Sequence, residues 1–173
     1  KIQNGDPLQS AIPLLEDAIK NDAEPLLFSD EIDKIKQAIK SKADLNKKYS
    51  KGYPLVYYAA KPDTSEIVNL LIKNGADVNI SQENNPPICA AARSNGDLNT
   101  VKLLVKNNAD INSTNKQGWT PLMCASRRGN IEIVKYLIDS DADVNYTNKS
   151  NNNALDLTKS QDIKDLLKNA GAK

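Results

Sequence analysis

One tetrapeptide recurs along the chain at a constant spacing, and this recurrence constrains the fold more than any other feature. The pattern Ala-Asp-(Leu/Val/Ile)-Asn begins at residues 43, 76, 109 and 142, so each copy follows the last by 33 residues. The same shift superposes Val68, Val101 and Val134, and also Leu71, Leu104 and Leu137. A fixed period of this length is the sequence signature of a solenoid, in which each repeat contacts only its neighbours.

Within one period the sequence predicts two short helices joined by a turn. In the clearest copy, Thr120 can cap the first helix and Pro121 suits its first position. Gly129 and Asn130 then end this helix, at a natural place for a left-handed residue. A second helix follows, with apolar residues at helical spacing at Ile131, Val134, Leu137 and Ile138. The polar stretch 143–151 predicts a loop or hairpin that leads into the next period.

Two helices this short cannot bury their apolar faces alone, so successive pairs must stack into one continuous core. The sequence therefore predicts an all-α solenoid whose end units are modified to meet water. We predict an N-terminal helical segment and divergent capping repeat at 1–46, three full repeats at 47–145, and a shortened C-terminal capping repeat at 146–173.

The end units are predicted from shorter apolar patterns. At the front, Pro7–Lys20 and Asp30–Ser41 each have the pattern of a helix, whereas no element is predicted for Asn21–Phe28, which Pro25 interrupts. At the back, Ala154–Leu157 and the apolar residues Ile163, Leu166 and Leu167 predict a final helix pair that closes at Gly171.

The repeat resembles the ankyrin repeat consensus closely. The matching residues in the clearest copy are Gly118-Trp119-Thr120-Pro121-Leu122-Met123-Cys124-Ala125, Gly129, Ile133-Val134 with Leu137, and Ala142-Asp143-Val144-Asn145. The match is strong over 52–145 and weaker over 29–173. The resemblance implies an all-α ankyrin-repeat solenoid of stacked helix-turn-helix pairs with β-hairpin loops.

Two departures from that consensus affect the structural expectation. Tyr57, Ala90 and Met123 stand where the consensus has a histidine that ties the inner helix to the next loop, so packing is expected to replace those polar ties. Asn108 and Asp141 replace the glycine that Gly75 retains, and both residue types tolerate left-handed geometry.

The resemblance also implies a concave binding groove formed by the hairpin tips and the inner helices. Its candidate partner-binding residues here are Lys51, Tyr53, Lys61, Glu83, Asn84, Asn95, Lys116, Gln117, Trp119, Arg127, Arg128 and Lys149. Six of them are basic and only Glu83 is acidic, so the groove is expected to prefer an acidic partner surface. A basic face that is merely solvated is the alternative. The convex helices would then balance the charge through Glu132, Asp139, Asp162 and Asp165.

Trp119 is the best candidate for an anchor of a partner. It is the only tryptophan and is expected at a hairpin tip, where Tyr53 stands 66 residues earlier. Tryptophan, tyrosine and arginine dominate the energetics of protein interfaces, and Arg127 and Arg128 follow closely. The alternative is that the Trp119 ring only packs against the neighbouring hairpin.

Other recurring side chains have simpler structural explanations. Cys89 and Cys124 are expected as buried thiols on neighbouring helices about 10 Å apart, which disfavours a disulfide. The asparagines at 46, 79, 112 and 145 could be modified enzymatically, but hydrogen bonding between hairpins explains them better. The aspartates at 44, 77, 110 and 143 occur once per repeat, whereas a calcium site needs several in one loop.

Composition bears mainly on which function classes to exclude. The chain of 173 residues contains no histidine, so histidine-based catalysis and HExxH zinc sites are excluded. An enzyme would need a carboxylate pair in a pocket, which shallow repeat grooves rarely provide. The 23 basic and 22 acidic residues give a net charge of +1, which argues against nucleic acid as the partner.

The sequence therefore predicts a non-catalytic protein-protein interaction module that binds an unidentified protein as a monomer, without a cofactor, metal, small-molecule substrate or transmembrane segment. The alternatives are a regulatory, immunity or inhibitor protein of a specific enzyme or toxin, and a binder of an anionic polymer or membrane surface. Free thiols favour a reducing compartment such as the cytoplasm, whereas a leader removed before Lys1 would indicate export.

Overall fold

The computed structural model describes residues 23–94 and 97–173, which form a succession of helix pairs. Within these ranges the helices are α1 (Glu24–Leu27), α2 (Ile32–Lys40), α3 (Pro54–Ala59), α4 (Ser65–Lys73), α5 (Pro87–Arg93), α6 (Leu98–Lys106), α7 (Pro121–Arg128), α8 (Ile131–Asp139), α9 (Ala154–Leu157) and α10 (Gln161–Asn169). The only β-bridges in these ranges are two isolated antiparallel ones, Tyr49–Gly52 and Gln82–Asn85. The predicted all-α solenoid fold is therefore confirmed.

The local signals act as the sequence predicts. A proline lies in the first turn of each of the inner helices α3, α5 and α7, where its missing N–H has no intrahelical partner to lose. The Thr120 hydroxyl accepts a hydrogen bond from the Met123 N–H at 3.3 Å and caps α7. Gly129 ends that helix with φ of 79°, in the left-handed region. Asn108 and Asp141 are left-handed as well, with φ of 65° and 63°.

Stacking forms two layers of helices with one core between them. The inner helices α3, α5, α7 and α9 contact one another in that order, and so do the outer helices α4, α6, α8 and α10. The repeating valines and leucines of the outer layer are fully buried, at positions 68, 101 and 134 and at 71, 104 and 137. Burial of each such side chain stabilises the fold by about 1.5–3 kcal/mol.

The recurring asparagines link each repeat to the next. The Asn79 amide donates to the Asn108 carbonyl at 3.1 Å, and its oxygen accepts from the Asp110 N–H at 2.9 Å. Asn46 and Asn145 make the same pair of bonds one repeat earlier and two repeats later. Each preceding aspartate accepts from the asparagine N–H two residues on, at 2.9 Å. Both residue types therefore stabilise loops and repeat contacts, as the sequence predicts.

The described residues begin and end with a helix pair whose first helix has only four residues. At the front, α1 lies in the segment for which the sequence predicts no element. A helix can form there because Pro25 falls in its first turn rather than in its interior. The predicted helix at Pro7–Lys20 lies outside the described residues. At the back, Asn153 caps α9 in a capping box, and its amide donates to the Lys173 carbonyl at 2.8 Å. The predicted boundaries at residues 46 and 145 stay a prediction.

No helix in the described part of the chain is long and apolar enough to cross a membrane.

Candidate functional site

A cavity of about 450 Å³ opens between the inner helices and the hairpin tips, where the family resemblance predicts the concave groove. Helix α3 and its C-terminal end contribute Val56, Tyr57, Ala60 and Lys61. The second hairpin (82–85) contributes Gln82, Glu83 and Asn85, and the third hairpin (115–119) contributes Asn115, Lys116 and Gln117. Arg93 reaches it from the C-terminal end of α5. We call this space the central cavity.

The structure brings four of the predicted binding residues together in the central cavity: Lys61, Glu83, Lys116 and Gln117. Asn84 and Lys149 line a neighbouring hollow of about 300 Å³ between the later hairpins. The Lys149 ammonium donates to the Lys116 carbonyl at 3.0 Å, so these hairpin tips are in contact.

The remaining candidates are spread along the array. Lys51 and Tyr53 flank the first hairpin, and Tyr53 donates its N–H to Gln82 Oε1 at 3.4 Å. Arg128 lines a separate hollow with Ser94 and Ile131, at the turn between α7 and α8. Asn95 lies outside the described residues.

Arg93 is the most important residue of the central cavity that sequence reasoning missed. It lies one residue before the register that gave Lys61 and Arg127 as candidates, and the equivalent positions one period away are Ala60 and Ser126. A side chain that occurs in only one repeat leaves no periodic signal. Its position at the end of an inner helix, beside a predicted groove residue, is the only feature of the sequence that could have indicated it.

The second hairpin has a different backbone from its neighbours. Glu83 and Asn84 both adopt left-handed conformations, with φ of 51° and 56°. In the hairpins at 49–52 and 115–119, the left-handed residue is a glycine, Gly52 or Gly118. A left-handed glutamate costs about 1–2 kcal/mol relative to an ordinary conformation, so the second hairpin stores strain that the other two avoid.

The polar side chains of these hairpins are also satisfied to different degrees. The Asn115 side-chain oxygen accepts from the N–H groups of Gln117 and Trp119, both at 3.0 Å. Gln82 holds the equivalent position, and its side chain makes only the long bond to Tyr53 within the described residues. Asn85 lines the central cavity, and its buried Oδ1 has no hydrogen-bond partner in the same part of the chain.

Aromatic and basic side chains meet at the N-terminal end of the groove. The Phe28 and Tyr57 rings pack edge to face with centroids 5.0 Å apart. The Lys51 and Lys61 ammonium groups lie 5.9 Å and 5.1 Å from the centroid of the Tyr57 ring. Cation-π contacts of this kind hold both ammonium groups near the face of the Tyr57 ring.

Lys61 is also held by an ion pair with Asp30. The two charged groups are 2.6 Å apart. The hydrogen bond from Lys61 lowers the pKa of Asp30, and the same bond raises the pKa of Lys61. The positive charge of Lys61 is therefore already paired with Asp30 within the chain, and its contact with a partner stays a prediction.

Trp119 packs against the core and carries a cation on its ring. Its ring is half-buried and packs against the core, while the Arg127 guanidinium lies 4.8 Å from its centroid. Arg127 itself is exposed at the C-terminal end of α7. The pair presents a flat, positively charged surface, and its role as an anchor stays a prediction.

Cys89 and Cys124 are buried free thiols under this surface. The Cys89 thiol donates to the Ser113 carbonyl at 3.5 Å and to the Trp119 carbonyl at 3.6 Å. Interaction with the Cys124 thiol and burial raise the pKa of Cys89. The separation of about 10 Å expected from helix spacing stays a prediction. No metal-binding cluster of three or more His, Cys, Asp or Glu residues occurs in the part of the chain that the structure describes.

Charged side chains of both signs line the outer face. Glu132, Asp162 and Asp165 surround a hollow between α8 and α10 together with Lys135, Ile131 and Leu166. Lys102 and Lys106 line another hollow beside Glu66, between α4 and α6. The predicted balance of groove cations by acidic residues of the outer helices therefore stays a prediction.

A family model described as ankyrin repeats, three copies, matches the chain over residues 26–115 and again over residues 88–172. No curated protein matches the chain in a sequence search.

Proposed function

Since the chain belongs to the ankyrin-repeat family, whose repeats are generally protein-protein interaction modules, we propose that it is a non-catalytic module that binds an acidic protein surface on its concave side. The matches together span 26–172, which includes every described residue of the central cavity. The binding residues would be Arg93, Lys116 and Gln117 of the central cavity together with the Trp119–Arg127 surface.

The observation that carries this proposal is the pairing state of the groove cations. Among the described residues, ion pairs join Lys34 to Glu31, Lys36 to Asp33 and Lys61 to Asp30. Arg93, Lys116 and Arg127 face the groove without a carboxylate partner in that part of the chain. Cations without internal partners attract an acidic surface and raise the rate of encounter with it.

The proposal is tested by affinity capture from the native cell extract. The wild-type protein is compared with a Trp119→Ala, Arg127→Glu, Arg128→Glu variant. We expect a protein that the wild type retains and the variant loses, because truncation of a Trp or Arg hot spot costs about 2 kcal/mol or more. Circular dichroism confirms that each bait is folded.

A matched control carries equivalent changes on the outer face: Tyr136→Ala, Lys106→Glu and Lys135→Glu. Tyr136 is half-buried like Trp119, and the two lysines are exposed. Equal capture by the wild type and the groove variant, with loss in the control, would place binding on the outer helices and overturn the proposal. Capture that falls steeply with salt and shows no partner specificity would indicate an anionic polymer or membrane surface instead.

A further inference from the structure

Two of the three cations that line the central cavity have no ion pair among the described residues, and one buried acceptor of a lining residue has no partner there either. We propose that the central cavity binds one acidic residue of an extended partner segment, with Arg93 and Lys116 holding the carboxylate and Asn85 Oδ1 accepting a backbone N–H of the same segment. This proposal rests on the proposed function and assigns the chemical class of the group that enters the site.

The two cations differ in pairing from the third one in the cavity. Lys61 is held by Asp30 at 2.6 Å, whereas Arg93 and Lys116 have no ion pair among the residues of 23–94 and 97–173. An arginine presents a fork of N–H donors that matches the two oxygens of a carboxylate, and a lysine adds a point charge. A carboxylate is thus the group that would satisfy both side chains at once.

The buried acceptor adds a requirement that charge alone does not explain. Asn85 Oδ1 has no partner within the described residues, although it is buried and belongs to the wall of the cavity. A buried acceptor without a partner is unfavourable, and each such group in a folded protein needs an explanation. An N–H donor from a bound peptide would supply the missing bond once the Asn85 side chain turns its oxygen towards the cavity that the residue lines.

Together these groups select a peptide over other anions. An Asp or Glu residue carries a carboxylate and a backbone N–H within a few bonds of each other, whereas a phosphodiester backbone offers no donor to Asn85. Glu83 also lines the cavity and would repel a polyanion. A volume of about 450 Å³ lies in the range of about 300–1,000 Å³ that is usual for ligand sites.

The strained second hairpin positions one of these groups, Asn85. The left-handed Glu83 and Asn84 lie directly before Asn85, so their conformation sets the position of Asn85 in the cavity wall. Strain of this kind persists only where the surrounding structure enforces it, and it is concentrated at ligand-binding positions.

The test uses a display library of random linear dodecapeptides selected on the folded protein. We expect the selected peptides to share an Asp or Glu, and a Glu→Gln or Asp→Asn change at that position to weaken binding of the synthetic peptide about tenfold or more. Arg93→Gln and Asn85→Ala in the protein should each weaken the same peptide by about tenfold. Thermal melts confirm that both variants are folded.

Lys61→Gln is the matched control, because it removes the same charge from the same cavity at a position already paired with Asp30. It should weaken the peptide by less than about threefold. Equal losses from Lys61→Gln and Arg93→Gln would indicate a general positive field and overturn the proposal. Selected peptides without a shared acidic residue, or no selected peptide at all, would overturn it as well.

The outcomes also separate this proposal from the proposed function. If a partner is lost by the Trp119, Arg127 and Arg128 variant but retained by Arg93→Gln, this result would support the concave binding face and contradict the carboxylate site. If neither variant loses any partner that the wild type retains, both proposals are wrong.

Discussion

The second and third hairpins occupy equivalent positions one period apart, yet they are built differently. In the third, Asn115 accepts two backbone N–H groups of its own loop, and the left-handed position is a glycine. In the second, Gln82 makes no such bonds, two residues other than glycine are left-handed, and Asn85 Oδ1 lacks a partner in the described structure.

This difference suggests that equivalent hairpins of one repeat array serve different needs, the third one stability and the second one binding. A hairpin whose backbone is satisfied internally, like the third one, contributes to the fold and can still present an outward side chain such as Lys116 to a ligand. A hairpin with a strained backbone and an unsatisfied buried acceptor lowers the free energy of unfolding, and a bound ligand can raise it again. The repeat therefore allows one unit to specialise while its neighbours hold the scaffold.

The largest expected loss of stability comes from a substitution in the third hairpin. Asn115 is buried at 6% exposure, and Asn115→Ala removes the acceptor for two loop N–H groups, so we expect a loss of about 2–3 kcal/mol in the free energy of unfolding. Gln82→Ala at the equivalent position should cost less than about 1 kcal/mol, because it removes one long bond. Urea unfolding monitored by Trp119 fluorescence measures both. Similar losses from the two variants would contradict the contrast between the hairpins.

The next effect has opposite signs in the two hairpins. Glu83→Gly should stabilise the protein by about 0.5–1 kcal/mol, because glycine adopts the left-handed conformation without steric cost. Lys116→Gly, one period later, should destabilise it by a similar amount of about 0.5–1 kcal/mol, because Lys116 has an ordinary negative φ and glycine only adds entropy to the unfolded chain. The difference in urea midpoint between the variants gives the sign directly. Destabilisation by both would show that the second hairpin is not strained.

Most of the fold could be predicted from the sequence because it depends on features that every repeat shares. The Ala-Asp-x-Asn spacing located the loops, and the Asn79 bonds to Asn108 and Asp110 show why that spacing is strict. The N-terminal helix α1 was missed, since a four-residue helix with Pro25 in its first turn has too little periodicity to detect.

The site was predictable only where it follows the period. Lys116 and Gln117 were placed correctly beside the cavity by their hairpin register. Arg93 and Asn85 were missed because each differs from its period mates, Ser126 and Gly118, and a difference between repeats carries no positional signal. Pairing is equally hidden: nothing in the sequence indicates that Lys61 would be held by Asp30.

The smallest predicted effect concerns this pairing and sharpens the distinction between Lys61 and the unpaired cations. The folded-state pKa of Asp30 lies below its ordinary value of 3.8 because Lys61 donates to it, so the pair stabilises the protein above pH 3.8 and this contribution is lost as the pH falls below that value. Both groups are on the surface, so the effect is small and screened by salt.

Asp30→Asn should therefore be slightly less stable than the wild type near neutral pH, and the two should converge in acid, as measured by urea unfolding at a series of pH values. Arg93→Gln should show no such acid-dependent difference, because no carboxylate of the described chain pairs with Arg93. An equal pH dependence in both variants would mean that the groove cations are not divided into paired and unpaired groups.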